Sequence, residues 1–388
     1  MPTAVTGPAQ LTELRPASDR DDWRWQVRNA VTDEARLAAE LALTASEREG
    51  LQHAAEGGFP VSITPYYLGL IDRDDPHCPI RLQCVPQGAE ARRVRGDLRD
   101  PLGEEAHQVA PHLVRRYPDR VLLLATDRCG VYCRFCTRSR MVGAGGGARP
   151  MDELAEALSY IRADATIRDV IVSGGDPLVM SDDRIGAVLS AIAEIEHVMY
   201  VRIASRVPVT LPQRITPALC RALRSHPAPW LMTHFNHPRE LSAEAARGCA
   251  MLADHGIPVM NQSVLLRGVN DDAQTLERLL RGLVRNRVRP YYLLQCDPVG
   301  GSSHLRTPLQ TGIDLMAQLQ GRVSGIALPK LIVDTPGGLG KVPVGPDYIE
   351  ARGDGSTTLR TFRGELVDYI DPPHPQLPAL EELEAGQP

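Results

Sequence analysis

The most informative part of this chain is the segment "RVLLLATDRCGVYCRFC", from Arg120 to Cys136. Its first seven residues are an apolar, β-branched run that predicts a buried strand. The rest is a loop in which Cys129, Cys133 and Cys136 follow a C-x3-C-x2-C spacing, so that three thiols can surround one compact centre. In barrels of parallel strands the reactive residues follow the strands directly, and this segment has that arrangement.

Further apolar runs follow this strand, and each is succeeded by a helical pattern. Ser181, Thr216 and Ser242 stand where helix N-caps are expected, and Gly256 stands where a helix should end. Six strand–helix units with short links predict an α/β fold with a parallel sheet closed, or partly closed, into a TIM-like (β/α)6-type barrel. The strands are predicted at 120–126, 169–175, 199–206, 229–235, 258–266 and 289–296, with a seventh, "PKLIVD", at 329–334.

The barrel accounts for the middle of the chain, and we expect three regions. Residues 1–110 begin with a polar tail and continue as a mainly helical region, with helices in "DDWRWQVRNAV" and "DEARLAAELAL". Residues 111–345 form the barrel. Residues 346–388 form a short C-terminal extension with two strand-like pieces, "TTLRTF" and "ELVDYI", before a flexible tail whose prolines preclude regular structure.

Composition limits the classes of function. With 43% hydrophobic and 23% charged residues among 388, the chain is ordinary for a globular enzyme. Its net charge of −5 gives no indication of a nucleic-acid or membrane partner. The N-terminus lacks a signal peptide pattern and no apolar run of about 18 residues occurs, so we expect a cytoplasmic protein. A non-enzymatic binding module stabilised by zinc or a cluster would predict basic patches or aromatic surfaces, but aromatic residues make up only 4%.

The three crowded cysteines favour a metal centre over disulfides. A structural zinc site needs four ligands, whereas a [4Fe–4S] cluster held by three cysteines leaves one iron open to bind another molecule. Zinc completed by a distant cysteine or histidine, or thiols without any ligand, are the alternatives.

The ends of the other predicted strands also carry polar residues. On their own, "SGGDP" after the second strand reads as a plain turn, and His234 and Gln262 as ordinary polar residues. Asp297 and Asp334 would repel each other unless a cation lies between them, although a structural pair or an acid–base dyad would look the same. In "VDTPGGLGKVP" (333–343), Lys341 follows a glycine-rich turn that lacks the glycine and the Ser or Thr of a Walker A loop, so nucleotide binding is not indicated.

Longer motifs resemble a known family. "ATDRCGVYCRFCTRSR" (125–140) resembles the cluster motif of radical S-adenosylmethionine (SAM) enzymes, specifically the lysine 2,3-aminomutase family. The resemblance covers most of the chain in order, from "DWRWQVRN" (22–29) through "VIVSGGDPL" (170–178) and "THFNHP" (233–238) to "DTPGGLGK" (334–341).

This resemblance implies a radical SAM barrel, a [4Fe–4S] cluster on the three cysteines, SAM on its open iron, and pyridoxal phosphate (PLP) on Lys341. "PGGLGK" fits the family's PGGGGK-like loop with one departure, Leu339. Of the arginines in "VRRYPDR", Arg116 and Arg120 are the expected phosphate contacts rather than Arg115. The implied SAM contacts are Phe135, Ser173, Gly174, Gly175, Asp176, His234 and Gln262.

The resemblance also implies the substrate and reaction. Arg138 matches the family's contact to the α-carboxylate of an amino acid, and Asp297 and Asp334 match the acids that hold its distal ammonium. The expected activity is that of an isomerase moving the α-amino group of L-lysine to C3, giving β-lysine. Arginine is the alternative substrate, and a β-lysine-forming enzyme for translation-factor modification is a further alternative. Leu294 and Leu339 depart from common family residues near the expected PLP pocket.

Other expectations concern partners. An electron donor such as a flavodoxin or ferredoxin and a homo-oligomeric state are implied. Some family members close a zinc site with C-terminal cysteines and a cysteine of a neighbouring subunit. Here the last cysteine is Cys296, and Asp272 stands where the partner cysteine would lie, so no zinc is predicted.

Overall fold

The structure, a computed structural model, describes residues 19–353 and 355–372. The predicted N-terminal tail, up to residue 18, and the proline-rich C-terminal tail, from residue 373, lie outside these residues. The domain boundaries at 110/111 and 345/346 remain predictions.

A ten-stranded sheet forms the centre of the molecule, and its strands lie side by side in chain order. The seven strands from β3 to β9 are parallel, whereas β1–β2 and β10 are antiparallel to their neighbours at the two edges. The strands are β1 Gln108–Ala110, β2 Leu113–Tyr117, β3 Arg120–Thr126, β4 Asp169–Gly174, β5 Tyr200–Ala204, β6 Pro229–Thr233, β7 Val259–Leu265, β8 Val288–Gln295, β9 Lys330–Thr335 and β10 Gly340–Val344.

The parallel strands do not close on one another. Among the described strands, β3 pairs with β2 and β4, and β9 pairs with β8 and β10. The barrel is therefore partial, as predicted, and an antiparallel hairpin covers each of its edges.

Helices follow each of the first six parallel strands, which confirms the predicted six strand–helix units. Side chains of Ser181, Thr216 and Ser242 accept hydrogen bonds from helix N-termini, and Gly256 adopts a positive φ of 70° after its helix. Asp272 caps the next helix by accepting from the Thr275 N–H at 2.8 Å. These helices are α6 Ala155–Ala163, α7 Asp182–Ala193, α8 Val207–Thr210, α9 Pro217–Leu223, α10 Ala243–Asp254, α11 Ala273–Arg285 and α12 Leu309–Leu319.

The N-terminal region is helical but broken into short pieces. The two predicted helices are only Trp23–Arg28 and Glu34–Ala38, shorter than their patterns indicated, and a longer one at Ala45–Ala55 has the capping box of Thr44 and Glu47. Two more helices span Pro65–Leu68 and Arg81–Cys84. Short 3-10 helices occupy Asp19–Asp21, Gly88–Ala91, Pro177–Val179, Pro212–Arg214, Pro238–Glu240, Ser303–Leu305 and Pro336–Gly338.

One continuous core joins the N-terminal region to the sheet. Leu37, Ile63 and Tyr67 are fully buried and belong to the same cluster as the apolar side chains of the barrel strands. On β5 the alternation of a strand is clear: Val201 and Ile203 are buried in this core, and Arg202 and Ala204 face the inner cavity.

The C-terminal extension forms a separate antiparallel sheet. It consists of β11 Ile349–Gly353, β12 Ser356–Arg360 and β13 Leu366–Ile370. The last two strands coincide with the two strand-like pieces of the sequence. No helix in the described part of the chain is both long and apolar enough to cross a membrane.

Candidate active site

A cavity of about 340 Å³ lies inside the partial barrel. It extends along the inner face of the sheet, from Arg120 at the start of β3 to the cysteine loop beyond the end of that strand. The structure brings every predicted site residue to this cavity. They are Arg116, Arg120, Cys129, Cys133, Phe135, Cys136, Arg138, Ser173, Gly174, Gly175, Asp176, His234, Gln262, Asp297, Asp334 and Lys341.

The cysteine loop between β3 and α6 is fixed by hydrogen bonds to its surroundings. The Tyr132 N–H donates to the Ser62 carbonyl and the Arg134 N–H to the Gln83 carbonyl, at 3.0 and 2.9 Å. The Asp127 carboxylate accepts from the N–H groups of Gly146 and Gly147, which holds the far side of the loop. The N-terminal region therefore presents the three thiols to the cavity.

The thiols suit a cluster better than a single ion. Within residues 19–353 and 355–372, no three His, Cys, Asp or Glu side chains converge closely enough to hold one metal ion. A [4Fe–4S] cluster instead takes its ligands on separate iron atoms, so thiols spread over one wall fit it. Burial raises the pKa of Cys136 to about 11 and that of Cys129 well above its usual range, so these thiols become thiolates only on a metal.

The two glycines at the end of β4 are required by close packing of the backbone. In the structure, a Cβ on Gly174 would lie 2.1 Å from the Thr126 carbonyl oxygen, and one on Gly175 would lie 2.3 Å from that of Arg128. The two glycines therefore let β4 pack directly against the backbone that leads into the cysteine loop.

Asp176 is also engaged by the protein itself. Its carboxylate accepts hydrogen bonds from the Ser205 hydroxyl and the Arg206 N–H, both at 2.7 Å, and from the Leu178 N–H at 3.0 Å. These bonds tie the end of β4 to the end of β5. A contact between this residue and SAM remains a prediction.

His234 is neutral at pH 7. Burial lowers the pKa of its imidazole to about 4, and the positive charges of Arg206 and Lys341 act in the same direction. It follows β6, and Gln262 lies on the neighbouring strand β7. Both residues face the cavity as uncharged hydrogen-bonding groups.

Lys341 lies on a strand rather than in a loop. It is the second residue of β10, directly opposite Asp334 of β9 in the antiparallel register. Its ammonium contacts the Asp334 carboxylate, which also accepts from Arg116 Nη2 at 3.2 Å. The Tyr117 hydroxyl accepts from the Lys341 N–H at 2.8 Å, so β2 helps to fix the position of this strand.

The glycine-rich turn before Lys341 explains the departure at Leu339. Gly337, Gly338 and Gly340 adopt φ values of 78°, 81° and 111°, which side chains rarely tolerate, whereas Leu339 has a φ of −73°. Leucine therefore stands at the one position of the turn that does not need glycine. Its side chain is 86% exposed and does not line the cavity, whereas Leu294 is buried and does.

Of the three arginines on the neighbouring strands β2 and β3, two line the cavity and one does not. Arg115 of β2 pairs with Asp164 at 2.5 Å and does not line the cavity. Arg116 of β2 and Arg120 of β3 line it, and the Arg120 guanidinium lies 4.5 Å from the centre of the Tyr117 ring. The predicted choice of Arg116 and Arg120 over Arg115 thus agrees with the side on which each side chain lies.

Asp297 titrates near neutrality. Burial and the negative charge of Asp334 raise the pKa of its carboxyl to about 7, against the opposing effect of Lys341. A second cation next to these two acids would favour their charged forms.

Lysine itself is rare in this chain, a signal that the sequence analysis missed. Of 43 Lys and Arg residues, only Lys330 and Lys341 are lysines. A chain that uses arginine almost everywhere keeps a lysine inside its cavity, and an amine, unlike a guanidinium, readily forms an imine with an aldehyde.

Two further residues of the site had no role in the sequence analysis. Arg206 donates to the Cys133 sulfur at 2.8 Å and pairs with the buried Glu240 at the same distance. Glu104 binds the guanidinium of Arg138. Arg206 at least follows a strand, but Glu104 belongs to a loop of the N-terminal region where no periodic pattern marks it.

Comparisons with known proteins agree with this site. A family model described as the radical SAM superfamily matches residues 123–280, and one described as lysine-2,3-aminomutase matches residues 316–383. The chain is 46% identical to L-lysine 2,3-aminomutase of Clostridium subterminale over 355 residues, which cover 92% of this chain and 85% of that protein.

Other relatives are similar over the same extent. The identity to L-lysine 2,3-aminomutase of Fusobacterium nucleatum is 46%, covering 91% of this chain and 83% of that one. The identity to glutamate 2,3-aminomutase of Clostridioides difficile is 39%, covering 92% of this chain and 84% of that protein. This chain therefore belongs to the lysine 2,3-aminomutase family of radical SAM enzymes, isomerases that use a [4Fe–4S] cluster and SAM.

Proposed function

We propose that this chain is a PLP-dependent L-lysine 2,3-aminomutase, which moves the α-amino group of L-lysine to C3 and yields β-lysine. The observation that carries the proposal is the distribution of charge in the cavity. Two acids, Asp297 just after β8 and Asp334 in β9, face it, whereas Arg138 contacts Ser173 of β4 on another part of the wall. An amino acid with a carboxylate at one end and a cation at the other complements both.

The acid pair supports a cationic side chain. The pKa of Asp297 is raised to about 7 because burial and Asp334 both oppose its ionisation. The distal ammonium of lysine would offset both effects, whereas the carboxylate of a glutamate side chain would add a third negative charge. Since one relative of this chain is a glutamate 2,3-aminomutase, these acids are what supports lysine over glutamate.

Lys341, Arg116 and Arg120 are proposed to hold PLP. The amine of Lys341 would bind its aldehyde, and the two guanidinium groups would bind its phosphate. When bound, PLP would supply the aldehyde carbon that carries the migrating amino group. In the structure, Asp334 pairs with both Lys341 and Arg116.

The cysteine side of the cavity is proposed to hold the cluster and SAM, which together would supply the radical that starts the reaction. Cys129, Cys133 and Cys136 would bind the cluster. Phe135, Ser173, Gly174, Gly175, Asp176, His234 and Gln262 are the proposed SAM contacts. The neutral imidazole of His234 suits this place because a further positive charge would repel the sulfonium of SAM.

Further parts of the proposal concern partners. An electron donor such as a flavodoxin or ferredoxin would reduce the cluster, and the enzyme would be a homo-oligomer without nucleic-acid or membrane partners. Eight free cysteines agree with a reducing compartment, so we place the enzyme in the cytoplasm. We also propose that it binds no zinc, because Asp272 serves as a helix cap where relatives carry a ligand.

Anaerobic reconstitution tests this function. The enzyme is loaded with iron, sulfide and PLP, then mixed with SAM, dithionite and each of the twenty amino acids. We expect a β-amino product from L-lysine. Product from arginine would instead support the alternative substrate, since a guanidinium also fits between two carboxylates. Cleavage of SAM without rearrangement of any amino acid would contradict the proposal.

A β-lysine-forming enzyme for translation-factor modification is the remaining alternative. An assay in which the acceptor protein is added together with L-lysine separates it from a free-standing enzyme. Faster formation of β-lysine when the acceptor protein is present would support that alternative, and an unchanged rate would support a free-standing enzyme.

A further inference from the structure

Glu104 belongs to the loop that precedes β1 and lines the same cavity, yet it is only 3% exposed. We infer that Glu104 is a positioning residue: it sets the guanidinium of Arg138 so that the edge formed by its two terminal nitrogens receives the α-carboxylate of the substrate. This inference rests on the proposed function, in which Arg138 binds that carboxylate.

The donors of Arg138 can be counted. Its Nε donates to Glu104 at 2.9 Å and its Nη2 donates to the same carboxylate at 2.7 Å. Its Nη1 faces the Ser173 hydroxyl and the Gly174 carbonyl at 3.2 and 3.5 Å. A guanidinium can bind a carboxylate at two points along either of two edges. Glu104 occupies the edge of Nε and Nη2, which leaves the edge of Nη1 and Nη2, where Nη1 has only the longer contacts to Ser173 and Gly174.

Glu104 is itself held in place. Its other oxygen accepts from Arg140 Nη2 at 3.2 Å, and Arg140 also pairs with Asp100 at the same distance. The carboxylate of Glu104 therefore connects two arginines that follow the cysteine loop. Because Arg140 also binds the Glu104 carboxylate, the position of Glu104 does not depend on Arg138 alone.

The loop of Glu104 also contacts the turn that leads to Lys341. The Gly337 N–H donates to the Pro101 carbonyl at 3.3 Å, and a Cβ on Gly103 would lie 2.8 Å from the backbone carbon of Gly337. One loop thus fixes the proposed carboxylate contact and abuts the segment of the proposed PLP lysine. This loop therefore contributes to the spacing between Arg138, which is proposed to bind the α-carboxylate, and Lys341, which is proposed to bind PLP.

The test compares L-lysine with L-lysinamide, which keeps both amino groups but lacks the carboxylate. Binding to the reconstituted enzyme is measured by calorimetry in wild type, in Glu104→Gln and in the matched control Glu105→Gln. Glu105 is the adjacent acid, its side chain is 53% exposed, and it pairs with Arg140 and Arg99 but not with Arg138. Glu104→Asp keeps the charge and serves if Glu104→Gln does not fold.

We expect Glu104→Gln to weaken L-lysine binding on the order of 10- to 100-fold, the size of effect that a misplaced contact produces. Binding of L-lysinamide should change by less than about twofold, since only carboxylate binding requires this edge of Arg138. Glu104→Asp should show the same pattern with a smaller change, and Glu105→Gln should behave as wild type.

Equal weakening of both ligands would overturn the inference in favour of a general structural role. Tighter binding of L-lysine by Glu104→Gln would also overturn it, because Glu104 would then compete with the substrate carboxylate. If wild type binds another amino acid, the comparison uses that amino acid and its α-amide. In that case the assignment of L-lysine as substrate fails. The role of Glu104 is still tested by comparing binding of the amino acid with binding of its α-amide.

Discussion

Asp334 and Lys341 face each other across the hairpin of β9 and β10, and their charged groups are in contact. The six residues between them in sequence include the glycine-rich turn, and the antiparallel register brings Asp334 and Lys341 together. Because Arg116 contacts the other oxygen of Asp334, this acid lies between two cations. Any cofactor or substrate that takes Lys341 or Arg116 away from Asp334 leaves the acid able to accept a new cation.

Removal of Lys341 should abolish PLP binding without disturbing the cluster. The chain has only one other lysine, Lys330, whose side chain is exposed at the start of β9. Reduction of the loaded enzyme with borohydride followed by peptide mapping should therefore label Lys341 alone. Lys341→Ala should lose the visible absorbance of PLP and keep its iron content, and Lys330→Ala should resemble wild type. Label on Lys330 would show that the assignment is wrong.

The affinity for L-lysine should rise with pH between about 6 and 8. The pKa of Asp297 is about 7, so its carboxyl is mostly neutral at the lower end of this range and charged at the upper end. The side-chain amine of lysine keeps its proton throughout. Dissociation constants measured across this range should fall as pH rises, and Asp297→Asn should remove the dependence. If the affinity of Asp297→Asn for L-lysine depended on pH as strongly as that of wild type, the pH dependence would belong to another group.

The same carboxyl should limit the stability of the protein. Because its native pKa is raised, Asp297 holds a proton that the unfolded chain releases, so its contribution to stability is present below pH 4 and is lost as pH rises to about 7. At pH 8, Asp297→Asn should therefore raise the free energy of unfolding by about 2–4 kcal/mol, at 1.36 kcal/mol per pKa unit. Asp314→Asn, on the exposed face of α12, should change little. Denaturant titrations at pH 5 and pH 8 measure this difference. An Asp297→Asn variant no more stable than wild type at pH 8 would contradict the prediction.

The order of the barrel strands could be predicted from sequence because each strand is an apolar run followed by a capped helix. Ser181, Thr216 and Ser242 mark helix starts by local hydrogen bonding, which requires no knowledge of the tertiary structure. The helices at Trp23–Arg28 and Glu34–Ala38 are shorter than their apolar patterns predict. The strand that carries Lys341 is not predicted, because Pro343 interrupts the short apolar run of β10.

The site residues that could be predicted are those at strand ends or in spaced motifs. Glu104 could not be found in this way, because its importance depends on Arg138, which lies 34 residues later in the chain. Arg206 follows a strand, but its contact with Cys133 joins two distant loops. Gly174 and Gly175 are predicted as SAM contacts, whereas their packing against the backbone of Thr126 and Arg128 is a tertiary feature that the sequence does not show.

A methyl group at Gly175 should displace the cysteine loop. Its Cβ would lie 2.3 Å from the carbonyl oxygen of Arg128, the residue before Cys129, and a backbone atom cannot move aside cheaply. Gly175→Ala should lower the free energy of unfolding by about 1–3 kcal/mol and reduce the iron bound on reconstitution. Gly325→Ala is the control, because no atom lies within 4 Å of the added Cβ. Full iron content in Gly175→Ala would mean that the loop does not depend on this packing.

Leu339→Gly should leave the proposed PLP site intact. Leu339 has an ordinary φ of −73° and an exposed side chain, so glycine removes no contact in the cavity. The substitution should lower the free energy of unfolding by about 0.4–1 kcal/mol, because it makes the unfolded chain more flexible, and should change PLP affinity less than about twofold. Gly338→Ala is the contrasting variant, since its φ is 81° and its Cβ would lie 2.7 Å from the Leu102 carbonyl oxygen. That strain should displace the turn and weaken PLP binding. A tenfold loss of PLP affinity in Leu339→Gly would instead show that this leucine shapes the cofactor site from outside the cavity.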